Sequence, residues 1–199
     1  MNEHVRHISE PRTPTQAAEG LPRWRWTLDE FERFIDLGIF SEGDRVELIG
    51  GEIVPMSPKG NQHEAMRQRL HGWLRRNLRD DIDYQIEPGW RAGAGHYVEP
   101  DFLLHARGTR ASDLPGSDAL LVIEVSDASL SFDLSSKNVI YASLGVEEYW
   151  VIEARTGTTH VHRAPGAEGY GDIRKVPDTE PLTALRVSGL TLTLANLSL

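Results

Sequence analysis

Between Ala119 and Glu153 the chain leaves little choice of fold. Ala119 to Val125 is its most apolar stretch, and it ends in Glu124-Val125-Ser126. Asp133 to Leu144 then carries Lys137, Ile140, Tyr141 and Leu144 at helical spacing, with Gly145 as a stop. Glu148 to Glu153 follows, with Tyr149-Trp150-Val151-Ile152 at its centre. Strand, helix and strand over this span have the length of one β-α-β unit, which predicts a parallel pair joined by a right-handed crossover. A strand apolar on both faces belongs in the middle of a sheet.

The rest of the chain can be arranged around that unit. Thr27 is a good helix N-cap with Asp29 and Glu30 behind it, and Leu28, Phe31, Phe34, Ile35 and Leu37 form an apolar stripe. Trp24 and Trp26, just before it, read as packing residues. Two alternating runs, Arg45 to Ile49 and Glu52 to Met56, flank Gly50-Gly51 and spell a β-hairpin whose turn needs positive φ. Glu47 then shares a side with Ile49, an odd place for a purely solvated acid. Asn61 could cap a second helix running to about Arg79, buried through Met66, Leu70, Trp73, Leu74 and Leu78. Arg67, Arg69, Arg75, Arg76 and Arg79 on its flanks read as a solvated face, with a phosphate-contacting ridge as the alternative. Ile82 to Arg91 and His96 to His105 read as strands. Thr158 to Leu199 should add antiparallel strands at the sheet edge. The fold class expected is α/β or α+β around a mixed β-sheet flanked by helices.

Residues 1–22 are polar and read as a flexible N-terminal tail, with 23–199 as a single domain. The tail lacks the apolar centre of a signal peptide, and no run nears the ~18 apolar residues of a membrane span. The expectation is therefore a cytoplasmic protein with no membrane partner. The chain of 199 residues has no cysteine, which removes disulfides, cysteine nucleophiles and cysteine–zinc sites. Its formal net charge of −9 argues against avid, non-specific binding of nucleic acid. A local basic patch or a bound metal can still reverse the field at a site.

Charge inside core strands needs a reason. Asp101, after Glu99-Pro100, points the way Leu103 and His105 point, and Glu124 shares a face with Val122. If the two strands are neighbours, the carboxylates meet. At ~4 Å they would repel by about 4 kcal/mol at an effective dielectric near 20, so one holds a proton or a cation sits between them. Oxygen donors without cysteine favour Mg2+ or Mn2+ over zinc. A divalent ion on Asp101 and Glu124 with Lys137 nearby suits phosphodiester hydrolysis, the lysine orienting the attacking water or neutralising developing charge. From spacing alone a plainer reading is equally open: Glu124 ends a strand in solvent, Asp101 caps a turn, and Lys137 pairs with Asp133. His63 could face a phosphate or an outer-shell water, though a surface position is the favoured reading. His160 and His162 alternate on one face and read as surface.

These residues carry a resemblance. Val46 to Val54 with Met56-Ser57-Pro58 and His63, then Glu99-Pro100-Asp101, then Ile123 to Ser126 with Asp133, Lys137 and Tyr141, then Gly145 to Ile152, resemble in order the motifs of the Uma-two family of restriction endonucleases. That family is placed within the PD-(D/E)xK nuclease superfamily, and the resemblance spans roughly Thr27 to Glu153. It implies a restriction-endonuclease-like fold and Mg2+-dependent (or Mn2+-dependent) cleavage of DNA. It makes Asp101 and Glu124 metal ligands with the Val125 carbonyl as a third, and Glu47 a supporting acid, with His63, Ser126 and Tyr141 as accessory residues. The superfamily's E-x-K motif carries a lysine where this chain has Ser126, so the lysine's role passes to Lys137 on the helix. Two cuts on a duplex need two sites, which makes a homodimer the expected assembly. The alternative is a catalytically inactive module that keeps the fold for protein or nucleic-acid interaction.

Overall fold

The computed structural model describes residues 24–41, 43–93 and 95–197. The tail expected at 1–22 lies outside them. The first helix, α1 (Leu28–Asp36), starts as the sequence implies: the Thr27 hydroxyl accepts from Glu30 N–H and Glu30 reaches back to Thr27 N–H, a complete capping box. Its apolar stripe is only partly used. Phe31 is buried against Phe40 and Tyr97, while Ile35, Leu37 and Ile39 stay exposed. Trp26 packs edge-on against Phe34, but Trp24 is largely exposed.

The hairpin forms as read. Strands β1 (Val46–Ile49) and β2 (Glu52–Pro55) pair antiparallel, and Gly50 and Gly51 at φ 56° and 83° make the turn that only glycine takes without strain. Helix α2 (Asn61–Asn77) follows. Its N-cap is Gly60 rather than Asn61, whose backbone is already helical, and it buries Met66, Leu70 and Leu74.

Two expected long strands are each broken in two. Ile82 to Arg91 divides into β3 (Ile82–Ile86) and β4 (Trp90–Gly93), and His96 to His105 into β5 (His96–Val98) and β6 (Phe102–Ala106). The breaks fall at Glu87-Pro88-Gly89 and Glu99-Pro100-Asp101. Proline cannot donate to a ladder, and Glu87 sits at φ +49°, a left-handed conformation that costs a non-glycine residue about 1 kcal/mol. The chain thereby passes twice between two sheets: a four-stranded one in the order β2-β1-β5-β4, and a six-stranded one in which β3 and β6 are neighbours.

The six-stranded sheet continues through β7 (Leu121–Ser126), β8 (Glu148–Glu153), β9 (Thr159–Gly166) and β10 (Gly169–Val176), in the order β10-β9-β8-β7-β6-β3. β7 and β8 are parallel, as the β-α-β reading requires, and β9 and β10 close one edge antiparallel. The fold is thus mixed α+β around a mixed sheet. Between β7 and β8 the helix is not regular. A short α3 (Leu130–Phe132) runs into a π-helical turn, Asp133–Lys137, and then α4 (Asn138–Ser143).

Alternation along β6 and β7 sorts the core. Phe102, Leu104, Leu121, Ile123 and Val125 face α2 and the C-terminal segment, where a short ladder of β11 (Leu182–Thr183) and β12 (Thr191–Leu192) completes that side. Leu103 and Val122 face α4 and the small sheet, with Trp90, Tyr141 and Tyr149. Buried Glu148 accepts from Arg163, from Trp150 Nε1 at 3.0 Å and from Leu185 N–H at 2.6 Å, tying that segment to the sheet. Among the described residues no helix is long and apolar enough to cross a membrane.

His162 is the clearest correction on this sheet. It is 1% exposed rather than a surface residue, and its ring lies 5.1 Å from Tyr149 and 5.7 Å from Tyr170. Nδ1 is 3.1 Å from His160 O and 3.3 Å from Tyr149 O; carbonyls only accept, so Nδ1 carries the proton. Burial holds the imidazole below its ordinary pKa against the opposing pull of those two carbonyls. The unfolded chain therefore binds the proton more readily. Stability is whole above the ordinary histidine pKa and falls as pH drops below about 6.5, by up to ~1.4 kcal/mol per pH unit. His162→Phe is expected to lose less stability than the natural chain between pH 7 and pH 5 in urea titrations. Part of the acid loss remains, because His96 is depressed by burial too. An unchanged pH dependence would show that His162 is not the group responsible.

Candidate active site

Register brings the two central carboxylates together. Phe102 stands opposite Ile123 and Leu103 opposite Val122, so one further step places Asp101 opposite Glu124, on the face shared with Leu103 and Val122. Asp101 lies just before β6, freed from the ladder by Pro100. Its own N–H donates to Glu124 Oε2 at 3.3 Å, and Val125 N–H donates to Asp101 Oδ2 at 2.8 Å. Both acids are buried, at 4% and 5% exposure, which removes the picture of a solvated strand end and a turn cap.

Lys137 reaches Glu124 from the π-helical turn. Such turns add a residue to the helical repeat and often mark functional sites. Its ammonium is 2.8 Å from Glu124 Oε1 and 3.1 Å from Glu47 Oε1, not paired with Asp133. Glu47 comes from β1, ninety residues earlier in sequence. Its Oε1 also accepts Glu99 N–H at 2.9 Å, so one carboxylate pins both the lysine and the loop carrying Asp101. One turn on from Lys137, the Tyr141 hydroxyl donates to Glu124 Oε1 at 2.9 Å. Trp90 stacks on the Tyr141 ring and anchors its own Nε1–H on Leu114 O at 2.7 Å.

Asp101 has partners on its other side. His63, expected at the surface, is buried in the first turn of α2, with Nε2 3.0 Å from Asp101 Oδ1 and Nδ1 3.3 Å from Glu64. Lys59 Nζ is 3.5 Å from Asp101 Oδ1. Ser126 donates its hydroxyl to Asp133 Oδ2, and Ser129 adds a second bond at 2.6 Å. The sequence reading missed Lys59 and the part played by Asp133. Lys59 carried no pattern. Asp133 stood four residues before Lys137, but its partners turned out to be the two serines.

Electrostatics follow from this crowding. Burial pushes Asp101 up, but His63, Val125 N–H and Lys59 outweigh it and hold the carboxyl below its usual range. Glu124 is raised to about 8, by burial first and then by Asp133, Asp101 and Glu47, with Lys137 opposing. Burial disfavours the Lys137 ammonium, yet Glu124, Glu47 and Asp133 together raise its pKa and keep it charged. Asp133 is raised by burial, with Lys137 and the two serines opposing.

The cluster lines a cavity of about 290 Å3. Glu47, Glu99, Asp101, Glu124, Asp127 and Asp133 contribute six carboxylates to its wall, against Lys59, Lys137 and His63. That surplus of oxygen donors and negative charge fits a hard divalent cation. Among the described residues no three His, Asp or Glu side chains form a ready-made metal cage. The ligand set expected from the family resemblance has only two such side chains, Asp101 and Glu124, with the main-chain carbonyl of Val125 as its third member.

Comparison with known proteins gives two findings. The family model Uma2, described as "Putative restriction endonuclease", matches residues 28–195. A solved structure from Anabaena variabilis, described as "a putative nuclease belonging to DUF820", is similar with a TM-score of 0.67 and 19% identity, over 86% of this chain and 96% of that one. At that identity the likeness speaks for the fold. No curated protein matches the sequence.

Proposed function

The chain belongs to the Uma2 family, and on that premise we propose that it is a metal-dependent endodeoxyribonuclease, hydrolysing phosphodiester bonds of DNA. The observation that carries the reading is the cross-strand pairing of Asp101 with Glu124 under a buried ammonium, that of Lys137. Asp101, Glu124 and the Val125 carbonyl would hold Mg2+ or Mn2+. When bound, the ion would supply positive charge to the scissile phosphate and acidify a water.

The remaining roles belong to the chain itself. Lys137 brings a fixed positive charge to the face where the nucleophile approaches, in a site too dry to screen it. Glu47 holds that ammonium in place. Tyr141 fixes the rotamer of Glu124, and His63 orients Asp101, as outer-shell partners of ligating carboxylates do. Ser126, where the superfamily pattern has lysine, tethers Asp133 instead. Two strands cut at one locus require two sites, so the proposal includes a homodimer, to be checked by sedimentation.

Purified protein with Mg2+ or Mn2+ is expected to convert supercoiled plasmid to open circles, and a chelator to stop it. Failure with both ions sinks the reading. One observation favours a non-catalytic module instead: each carboxylate is already satisfied by protein donors, Asp101 by His63, Lys59 and Val125 N–H, and Glu124 by Lys137, Tyr141 and Asp101 N–H. That reading expects no heat of Mn2+ binding in calorimetry. Binding that is lost in Glu124→Ala eliminates it.

A further inference from the structure

We infer that Lys59 is a substrate contact of this site, its ammonium engaging a non-bridging phosphate oxygen of the bound polynucleotide. The inference rests on the nuclease reading above, which supplies a phosphodiester ligand. Among the described residues lining the cavity there are three basic side chains, Lys59, His63 and Lys137. Two of them are committed. Lys137 is 5% exposed and lies between Glu47 and Glu124, so withdrawing it would leave two buried acids without a counter-charge. His63 is held between Asp101 and Glu64 through its two ring nitrogens.

Lys59 differs in exposure and in how it is held. Its side chain is 17% exposed, on the loop between β2 and α2, with the ammonium 3.5 Å from Asp101 Oδ1 and bonded to Glu87. Glu87 has two further cations near it, at ion-pair rather than hydrogen-bond distance. Arg67 Nε lies 3.7 Å from the same carboxylate and an Arg45 nitrogen 4.0 Å away. Three cations thus share Glu87, and the departure of one leaves the carboxylate with two guanidinium partners. Arg45 also has Glu99 at 3.0 Å, and Arg67 has Glu64. Lys59 is the member of the trio that lines the cavity.

Position makes the transfer short. Glu87 N–H donates to Asp101 O at 3.3 Å, so the carboxylate that holds Lys59 is tied to the residue at the centre of the site. A lysine parked between Asp101 and Glu87 can swing to a phosphate while Asp101 keeps its bonds to His63 and Val125 N–H and Glu87 keeps two guanidinium neighbours. A compact ammonium on a flexible four-carbon stem can follow a phosphate as a point charge.

The test is binding of a fluorescein-labelled DNA duplex, followed by anisotropy with a chelator present so that no cleavage occurs, across a salt series. One lost phosphate contact lowers the slope of log affinity against log salt by about 0.9. Lys59→Met is expected to show that drop, with binding weakened about 3- to 10-fold at the lowest salt, while Lys59→Arg keeps the natural slope. Lys175→Met, on β10 away from the cavity, should match the natural protein. Three results overturn the inference: a natural slope in Lys59→Met, an equal drop in Lys175→Met, or no measurable binding by the natural protein. Plasmid cleavage is scored separately. Normal cleavage with an unaltered slope in Lys59→Met defeats the Lys59 contact alone, and a lost slope without cleavage under any ion defeats the hydrolytic reading alone.

Discussion

Replacing Lys137 by methionine is expected to abolish plasmid nicking and also to destabilise the fold by about 3–5 kcal/mol, the cost of breaking a buried ion pair from one side. The ammonium is the only group placed between Glu47 Oε1 and Glu124 Oε1 among the described contacts, at 3.1 and 2.8 Å. Without it two buried carboxylates face each other. One must take up a proton or the site must open to water. Urea unfolding measures the loss. Because the variant confounds stability with chemistry, the informative comparison is Glu47→Gln combined with Lys137→Met. Removing the second charge should recover a large part of the stability, since the stranded repulsion goes with it, while nicking stays absent. A stable single variant would mean that Lys137 is not the counter-ion here. Cleavage by the stable double variant would remove Lys137 from the chemistry.

Asp101→Asn separates the roles from the other direction. The amide keeps an oxygen to accept Val125 N–H, so the loop before β6 should hold its course. Nicking is nevertheless expected to fall by about 10^2- to 10^3-fold or more, the scale seen when one charge-stabilising group of a reaction centre is removed. Stability should also change with a definite sign. His63, Val125 N–H and Lys59 hold the Asp101 carboxyl below its ordinary value despite burial. Its contribution is therefore present at neutral pH and fades as pH falls below about 4, the ordinary carboxylate value. The gap between the natural protein and Asp101→Asn should be open at pH 7 and close on acidification. Full nicking by Asp101→Asn in Mn2+ would end its assignment as a ligand.

Several parts of this architecture could be read along the chain because the evidence for them is local. Gly50-Gly51 between two alternating runs gives a hairpin wherever it occurs, since few other residues accept two positive φ angles in succession. The apolar run before Glu124 had to be a central strand, and the helix-length spacing to Tyr149 made its pairing with β8 parallel. Alternation assigned Asp101 and Glu124 to the faces of Leu103 and Val122 before any register was known. The misreadings share a cause. Glu87 and Pro100 end strands whose side-chain pattern runs straight on, and pattern alone does not report a backbone break. His63 is buried against Asp101, and His162 against the rings of Tyr149 and Tyr170 on neighbouring strands, contacts that the side-chain pattern along either element does not report.

Local pattern was enough for the hairpin, the first two helices, the parallel β7–β8 pair and the inward faces of Asp101 and Glu124, because strand and helix periods depend only on neighbouring residues. That those acids meet is a matter of packing. The Asp101–Glu124 pair depends on the β6–β7 register, and the reach of Lys137 depends on a π-helical turn. The Glu47 contact spans ninety residues and joins the small sheet to the large one. Charges converge in this way only when packing of the two sheets and the crossover helix brings their carriers together, and the desolvation that gives the cluster its altered acidities exists only in that packed state.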